Sequence, residues 1–191
     1  MRYFDHNATT PVAPEALAAF SRACMETFGN PSSIHTPGQR ARHALEAARE
    51  SLAGMLGCAP REVVFTSGGT ESDNLAILGA PEGHMITTAI EHPAVLAAAA
   101  LRQATIVRVD GSGRVDPDEI RRALRPDTKL ISVMHANNET GVLQPVEEIA
   151  AIAREAGALF HSDGVQAAGR IPVNVRALGV DLYTISGHKF N

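Results

Sequence analysis

At 191 residues and 45% hydrophobic content, the chain is long enough for one domain of ordinary size with a sizeable buried core. Its 17 Lys and Arg against 21 Asp and Glu leave a net charge of -4 and a pI near 6.0, so no global positive field is available to hold nucleic acid. The longest strictly apolar run, 94–101, is far short of the roughly 20 residues that span a bilayer, and no signal-like segment follows Met1. Two cysteines, Cys24 and Cys58, are too few for a disulfide framework and stand in no metal-binding spacing. The expectation is a cytoplasmic protein with reduced thiols and no metal, membrane or nucleic-acid partner.

The first 60 residues read as a helical preface. Its loops at 5–10 and 29–35 are rich in Asn, Ser, Thr and His, which suits either the lining of a site or ordinary turn chemistry. Thr36-Pro37-Gly38-Gln39 offers a cap residue, a proline at the first helical position and a Gln at the third. The spacing of Ala41, Ala44, Leu45, Ala48, Leu52, Met55 and Leu56 then predicts a helix that buries one stripe and stops at Gly57.

From residue 61 onward, short apolar runs alternate with helical patterns, an α/β signature. Strands are predicted at 62–66, 84–88, 105–109, 129–134, 158–161 and 181–186. Helices are predicted at 72–78, 93–102, 118–124 and 146–156, the third opened by Asp116-Pro117-Asp118-Glu119. Residues 61–191 are thus read as one α/β domain following the 1–60 preface, with Val- and Ile-rich strands covered on both faces.

Each junction carries a motif with two readings. Ser67-Gly68-Gly69-Thr70-Glu71 follows a predicted strand and opens a helix. Its backbone amides can cradle a phosphate, or it is a tight turn capped by Ser67 or Thr70. No P-loop lysine or GxGxxG accompanies it, which disfavours nucleotides. Asp163 stands just past a strand's carboxyl end, where open α/β sheets build their sites. It can serve a cationic ring nitrogen or cap the short segment after it. Ser186-Gly187-His188-Lys189 places a lysine at another strand end, although surface lysines are the commoner case. His92 caps a helix or reaches a site, and the Asn137-Asn138 pair stabilises a turn or faces a ligand.

Taken together, Phe4-Asp5-His6-Asn7-Ala8-Thr9-Thr10-Pro11, Gly29-Asn30-Pro31-Ser32-Ser33, the block from Phe65 to Asn74, Glu91-His92, the block from Met134 to Val142, the block from His161 to Gln166, and Ser186 to Lys189 form an ordered series. In that series the chain resembles the NifS/IscS-like cysteine desulfurases of the class V aminotransferase-like group. It departs from many relatives at His6, Gly69 and Gly164, where Asn or Ala is common. The resemblance implies the three-layer α/β/α large domain of fold-type-I pyridoxal-phosphate enzymes, with a mainly parallel sheet and without the C-terminal small domain that relatives carry.

The resemblance also implies roles. Lys189 would bond pyridoxal 5'-phosphate covalently, with Gly69, Thr70, Ser186 and His188 around the phosphate. Asp163 would pair with the pyridine nitrogen, Gln166 would donate to the phenolic oxygen, and His92 would stack on the ring. Asn138 would lie beside the phenolic oxygen and the substrate carboxylate. The substrate would be L-cysteine, converted to L-alanine while a mobile cysteine takes the sulfur. That cysteine belongs to a C-terminal segment of the enzyme and has no counterpart in Cys24 or Cys58. A homodimer and a sulfur-acceptor protein would follow. Another class V aminotransferase or a selenocysteine lyase would share the pocket, and a non-catalytic split fragment is a third reading. The Asn137-Asn138-Glu139-Thr140-Gly141 block favours the desulfurase.

Overall fold

The computed structural model describes residues 2–191. Two helices lead, α1 (Pro14–Glu26) and α2 (Thr36–Leu56), followed by a 3-10 turn at Pro60–Glu62. Helix α3 (Gly69–Gly79) then opens an alternating series: β1 (His84–Thr88), α4 (Pro93–Ala99), β2 (Ala104–Val107), α5 (Pro117–Ala123), β3 (Thr128–Ser132), α6 (Val146–Ala156), β4 (Leu159–Asp163), α7 (Val175–Leu178) and β5 (Leu182–Thr184). A second 3-10 turn, Gly187–Lys189, follows.

The strands form one sheet in the order β2-β1-β3-β4-β5, and every neighbouring pair is parallel. Successive strand residues face opposite sides, so β1 and β3 feed two separate cores. Met85 and Leu130 pack with Ile77, Val95 and Ala98 of α3 and α4. Ile86 and Ile131 pack with Ile120, Ile149 and Phe160 under α5 and α6. Helices therefore cover both faces, the three-layer arrangement expected. Each fully buried large apolar side chain in these cores contributes roughly 1.5–3 kcal/mol. The strand order reverses direction between β1 and β3, and this opens a crevice at the strands' carboxyl ends.

The caps follow local chemistry, with one difference from expectation. Asp116 caps α5 by accepting from Asp118 N. On α2 the cap is His35 rather than Thr36, its Nδ1 accepting from Gly38 N. The apolar stripe of α2 is also less covered than its spacing predicts. Ala41 and Leu56 are buried, whereas Ala44, Ala48 and Met55 are exposed, because the main packing partner of the helix is the 3-10 turn at Pro60–Glu62 that follows its C-terminal end.

The strand predicted at 62–66 does not form. Glu62 ends the 3-10 turn, and the chain leaves extended at Val63 with φ -87° and ψ 124°, but no sheet partner lies beside it. A groove of about 910 Å³ lined by Val63, Val64 and Phe65 on one side and Tyr183, Ile185 and Phe190 on the other separates it from β5. The segment is held instead from α2: Arg49 donates to the Val63 carbonyl and stacks 4.9 Å from the centre of the Phe65 ring.

Candidate active site

Parallel strands deliver their loops to one end, so the segments after β1, β3, β4 and β5 meet the N-terminus of α3 there. They enclose a cavity of about 630 Å³. All the residues assigned to a site in the sequence line it: Gly69 and Thr70 from α3, His92 after β1, Asn138 after β3, Asp163 and Gln166 after β4, and Ser186, His188 and Lys189 after β5. From the preface, Asp5, Asn7 and Ala8 reach the same cavity. The loop at 29–35 does not line it.

Loop 5–10 is fastened by polar contacts to the strand ends. Asn7 Nδ2 donates to the Asn138 carbonyl at 3.1 Å, and Gln166 Nε2 donates to the Asn7 carbonyl at 3.0 Å. Lys189 Nζ donates to the carbonyls of Asn7 and Ala8 at 2.5 and 2.8 Å. Thr10 N reaches the His188 carbonyl at 3.0 Å, and His188 Nδ1 meets Thr9 Oγ1 at 3.1 Å. Partial burial and the Arg170 guanidinium hold the Lys189 amine below the usual lysine range, which favours the neutral, nucleophilic form.

Two local readings hold alongside the cavity lining. His92 caps α4, Nδ1 accepting from Ala94 N at 3.2 Å. Asp163 Oδ1 accepts from Val165 N at 2.9 Å. Burial holds the Asp163 carboxyl above its ordinary range, although its contact with Val165 N and the nearby His92 and Lys189 work against that rise. A cationic partner beside it would favour its ionised form. The cap expected from Ser67 or Thr70 is absent: Gly68 occupies the N-cap of α3 without a side-chain bond, and the Ser67 amide donates instead to Glu71.

Two buried acids left without a role in the sequence, Asp73 and Glu91, also shape this site, and Asn137 follows its turn-stabilising reading. Asp73 lines the cavity from α3, buried and with Oδ1 unpartnered. Its signal was helical spacing, four residues after Gly69. Glu91 lies beneath the cavity, its Oε1 accepting from Thr88 Oγ1 at 2.5 Å and Met134 N at 3.0 Å. Burial pushes its carboxyl up to about 8. Asn137 braces the loop rather than facing it: its Oδ1 accepts from Glu139 N, Thr140 N and Thr140 Oγ1, and its Nδ2 reaches the Ile90 carbonyl. Glu91 and Asn137 thus tie the His92 loop to the Asn138 loop.

The donor set suits an anionic aromatic cofactor. The amide-rich start of α3 favours a phosphate. A Cβ added at Gly69 would stand 3.3 Å from Val165 Cγ2 and 3.7 Å from Ser186 Cβ, so glycine keeps this cradle close-fitting and open. Asp163, His92 and Lys189 supply an acid, a ring and an amine around one space. Among the described residues, no group of three or more His, Cys, Asp or Glu is placed to hold a metal ion. No helix among them is long and apolar enough to cross a membrane.

Comparison with known proteins places this arrangement. A family model described as aminotransferase class-V matches residues 2–191. A cysteine desulfurase IscS of Dictyoglomus turgidum is 49% identical across 98% of the chain and 50% of its own length. One of Methanosarcina thermophila is 47% identical across 98% of the chain and 49% of its length. The chain therefore spans about half the length of the curated relatives it matches. Among solved structures, SspA in complex with cysteine superimposes with a TM-score of 0.95 at 37% identity, covering 99% of this chain and 58% of that one. A NifS-like protein gives 0.92 at 39% identity, covering 98% of this chain and 55% of that one.

Proposed function

The chain belongs to the aminotransferase class-V family, and on that premise we propose that it is the pyridoxal-phosphate-binding part of a cysteine desulfurase. The observation that carries this reading is the convergence of Lys189, Asp163, His92, Asn138 and Gln166 on one cavity at the start of α3. Relatives named cysteine desulfurase and a neighbour solved with cysteine favour L-cysteine over the substrates of other class V enzymes.

The backbone amides at Gly69 and Thr70, with Ser186 and His188, would hold the phosphate. Asp163 would pair with the pyridine nitrogen, Gln166 and Asn138 would serve the phenolic oxygen, and His92 would cover the ring. When bound, pyridoxal phosphate supplies a ring that draws electron density from the substrate's α-carbon. Asp163 would keep that ring's nitrogen cationic, because a carboxylate beside it favours the protonated form. Lys189 moves the proton at the substrate α-carbon, a task matched to an amine held below the usual lysine range. Asn138 orients the substrate carboxylate.

The sulfur is taken by a cysteine of a C-terminal segment. Cys24 is exposed and Cys58 half-buried, and neither lines the cavity. The groove between 63–66 and β5 supports such a partner, since it joins the open edge of β5 to the exposed Val64 and Phe65, a surface that free domains cover. The preface 1–60 delivers the loop that closes the cavity, and 61–191 forms the cofactor domain. The apolar side chains that α1 leaves exposed, Leu17, Phe20 and Met25, suit a homodimer. We place the enzyme in the cytoplasm, delivering sulfur to an acceptor protein for iron-sulfur clusters or thio-cofactors.

The test is an assay of alanine and sulfide from L-cysteine and pyridoxal phosphate, using these 191 residues alone and together with a C-terminal segment from a relative. Turnover in the assembly and none in the isolated chain is expected. Robust desulfuration by the isolated chain would assign the nucleophile to Cys24 or Cys58 instead.

A further inference from the structure

Three acids are buried around the cavity floor: Asp163, Glu91 and Asp73. The proposed function uses the first, and Thr88 and Met134 hold the second. Asp73 has no such explanation. It follows Thr70 by three residues and Gly69 by four, which puts it on the face of α3 that bears the phosphate cradle, and it lines the same cavity. It is 1% exposed, and its Oδ1 has no hydrogen-bond partner.

No cation compensates it. The nearest basic atom is His161 Nε2, 3.7 Å from Asp73 Oδ1, beyond hydrogen-bonding reach. Both ring nitrogens are already engaged, Nδ1 with Ser132 Oγ at 2.8 Å and Nε2 with Thr184 Oγ1 at 3.0 Å. Burial lowers this imidazole to about 4, so it is neutral at physiological pH. From the other elements, His92 and Lys189 act on Asp163, the Thr184 hydroxyl gives Asp73 modest help, and Asp163 itself repels an Asp73 anion. Glu91 offers no positive charge. With His92 and Lys189 both acting on Asp163, an ionised Asp73 would lack a counterion, and neighbouring acids resolve this by retaining a proton between them. Burial, reinforced by Asp163, pushes Asp73 up to about 7.

We propose that Asp73 is a positioning residue acting through Asp163: it carries the proton that the pair retains, so that Asp163 alone presents negative charge to a cationic ring nitrogen. Strand alternation supports the arrangement, because His161 and Asp163 lie two apart on β4 and face the same side of the sheet. The inference rests on the pyridoxal-phosphate reading, and it adds a second acid whose value lies in being neutral.

The experiment follows aspartate carboxyl carbons by NMR in cofactor-free protein from about pH 4 to about pH 9, in the wild type and in Asp73→Asn, with pyridoxal phosphate binding measured alongside. The amide mimics a neutral acid. Asp73→Asn is therefore expected to remove the near-neutral titration step, to leave the Asp163 step where it stands in the wild type, and to keep pyridoxal phosphate affinity within about threefold near pH 7. Asp73→Ala, which removes the polar group as well, serves as the comparison: if it matches Asp73→Asn in affinity and Asp163 titration, the role is merely structural and the proposal fails. A near-neutral step that persists in Asp73→Asn, or an Asp163 step that moves to lower pH, with cofactor bound normally, overturns this proposal alone, since Asp73 is then not the acid that holds the proton. No binding of pyridoxal phosphate by the wild type overturns the cofactor reading, and this proposal's ring nitrogen with it.

Discussion

The Lys189 Nζ lies against the main-chain carbonyls of Asn7 and Ala8, 2.5 and 2.8 Å away, so the amine assigned to the cofactor is also the clasp of loop 5–10. A covalent bond between Lys189 and the cofactor would compete with these two contacts and leave the loop held by its bonds to Asn138, Gln166 and His188.

Borohydride reduction in the presence of pyridoxal phosphate, followed by peptide mass mapping, is therefore expected to label Lys189. Lys189→Ala should abolish the label and also speed proteolysis within 5–10, because the clasp is lost. Label on Lys129 would refute the assignment. That lysine is on β3 and exposed, and it does not line the cavity.

Asp163→Ala should weaken pyridoxal phosphate binding roughly 10- to 100-fold, the equivalent of about 1.5–3 kcal/mol for a hydrogen bond to a charged group. Fluorescence titration measures it. The same substitution deletes the acceptor of Val165 N, so a circular dichroism spectrum must first show the fold intact. Unchanged affinity in a folded variant would remove Asp163 from the ring-nitrogen role.

The strand and helix alternation after residue 80 was legible because parallel, doubly covered strands read as apolar runs whatever their partners. Val146–Ala156 is reproduced to the residue. The 62–66 prediction failed because Val63-Val64-Phe65 has strand composition, whereas a strand also requires a neighbouring backbone, and a groove lies where that neighbour would be. The site loops were legible through side chains that carry chemistry: His92, Asn138, Asp163 and Lys189 stand at strand ends. Asp73 and Glu91 were not. An acid inside a helix or before a capping histidine reads as solvated surface until burial is known, and burial is a property of the assembled layers.

Glu91 makes stability depend on pH. Its carboxyl sits near 8 in the fold, pushed up by burial, against an ordinary value near 4.5 unfolded. Between these values the folded chain holds a proton that the unfolded chain lacks, so this contribution is complete below the unfolded value and is lost as pH rises toward 8. Asp73, raised to about 7, acts in the same direction. His161, lowered to about 4, acts oppositely, adding stability as pH rises toward its unfolded value near 6.5. Above neutrality Glu91 dominates, and urea unfolding should lose on the order of 1 kcal/mol per pH unit as pH approaches 8. Glu91→Gln is expected to flatten that decline while keeping the Met134 N contact. A slope unchanged in Glu91→Gln would show that Glu91 is ionised in the fold.

Gly164 gives a sharper packing test. It follows Asp163 in the turn after β4, and a Cβ added there would fall 2.0 Å from Tyr183 Cζ and 2.2 Å from Cε1. The ring cannot swing away freely, because its hydroxyl bonds His135 Nδ1 at 2.8 Å and the two rings pack edge to face at 6.0 Å. Gly164→Ala should therefore cost about 1–3 kcal/mol, the usual penalty for overpacking, and it should weaken pyridoxal phosphate binding by shifting Asp163. Shrinking the obstacle should restore what the methyl takes away. In a double-mutant cycle by urea unfolding, Tyr183→Val alone loses the His135 bond, whereas Gly164→Ala combined with Tyr183→Val should be more stable than the sum of the single losses by about 1 kcal/mol or more. Strict additivity would show that the turn relaxes away from Tyr183, and that the contact does not fix the position of Asp163.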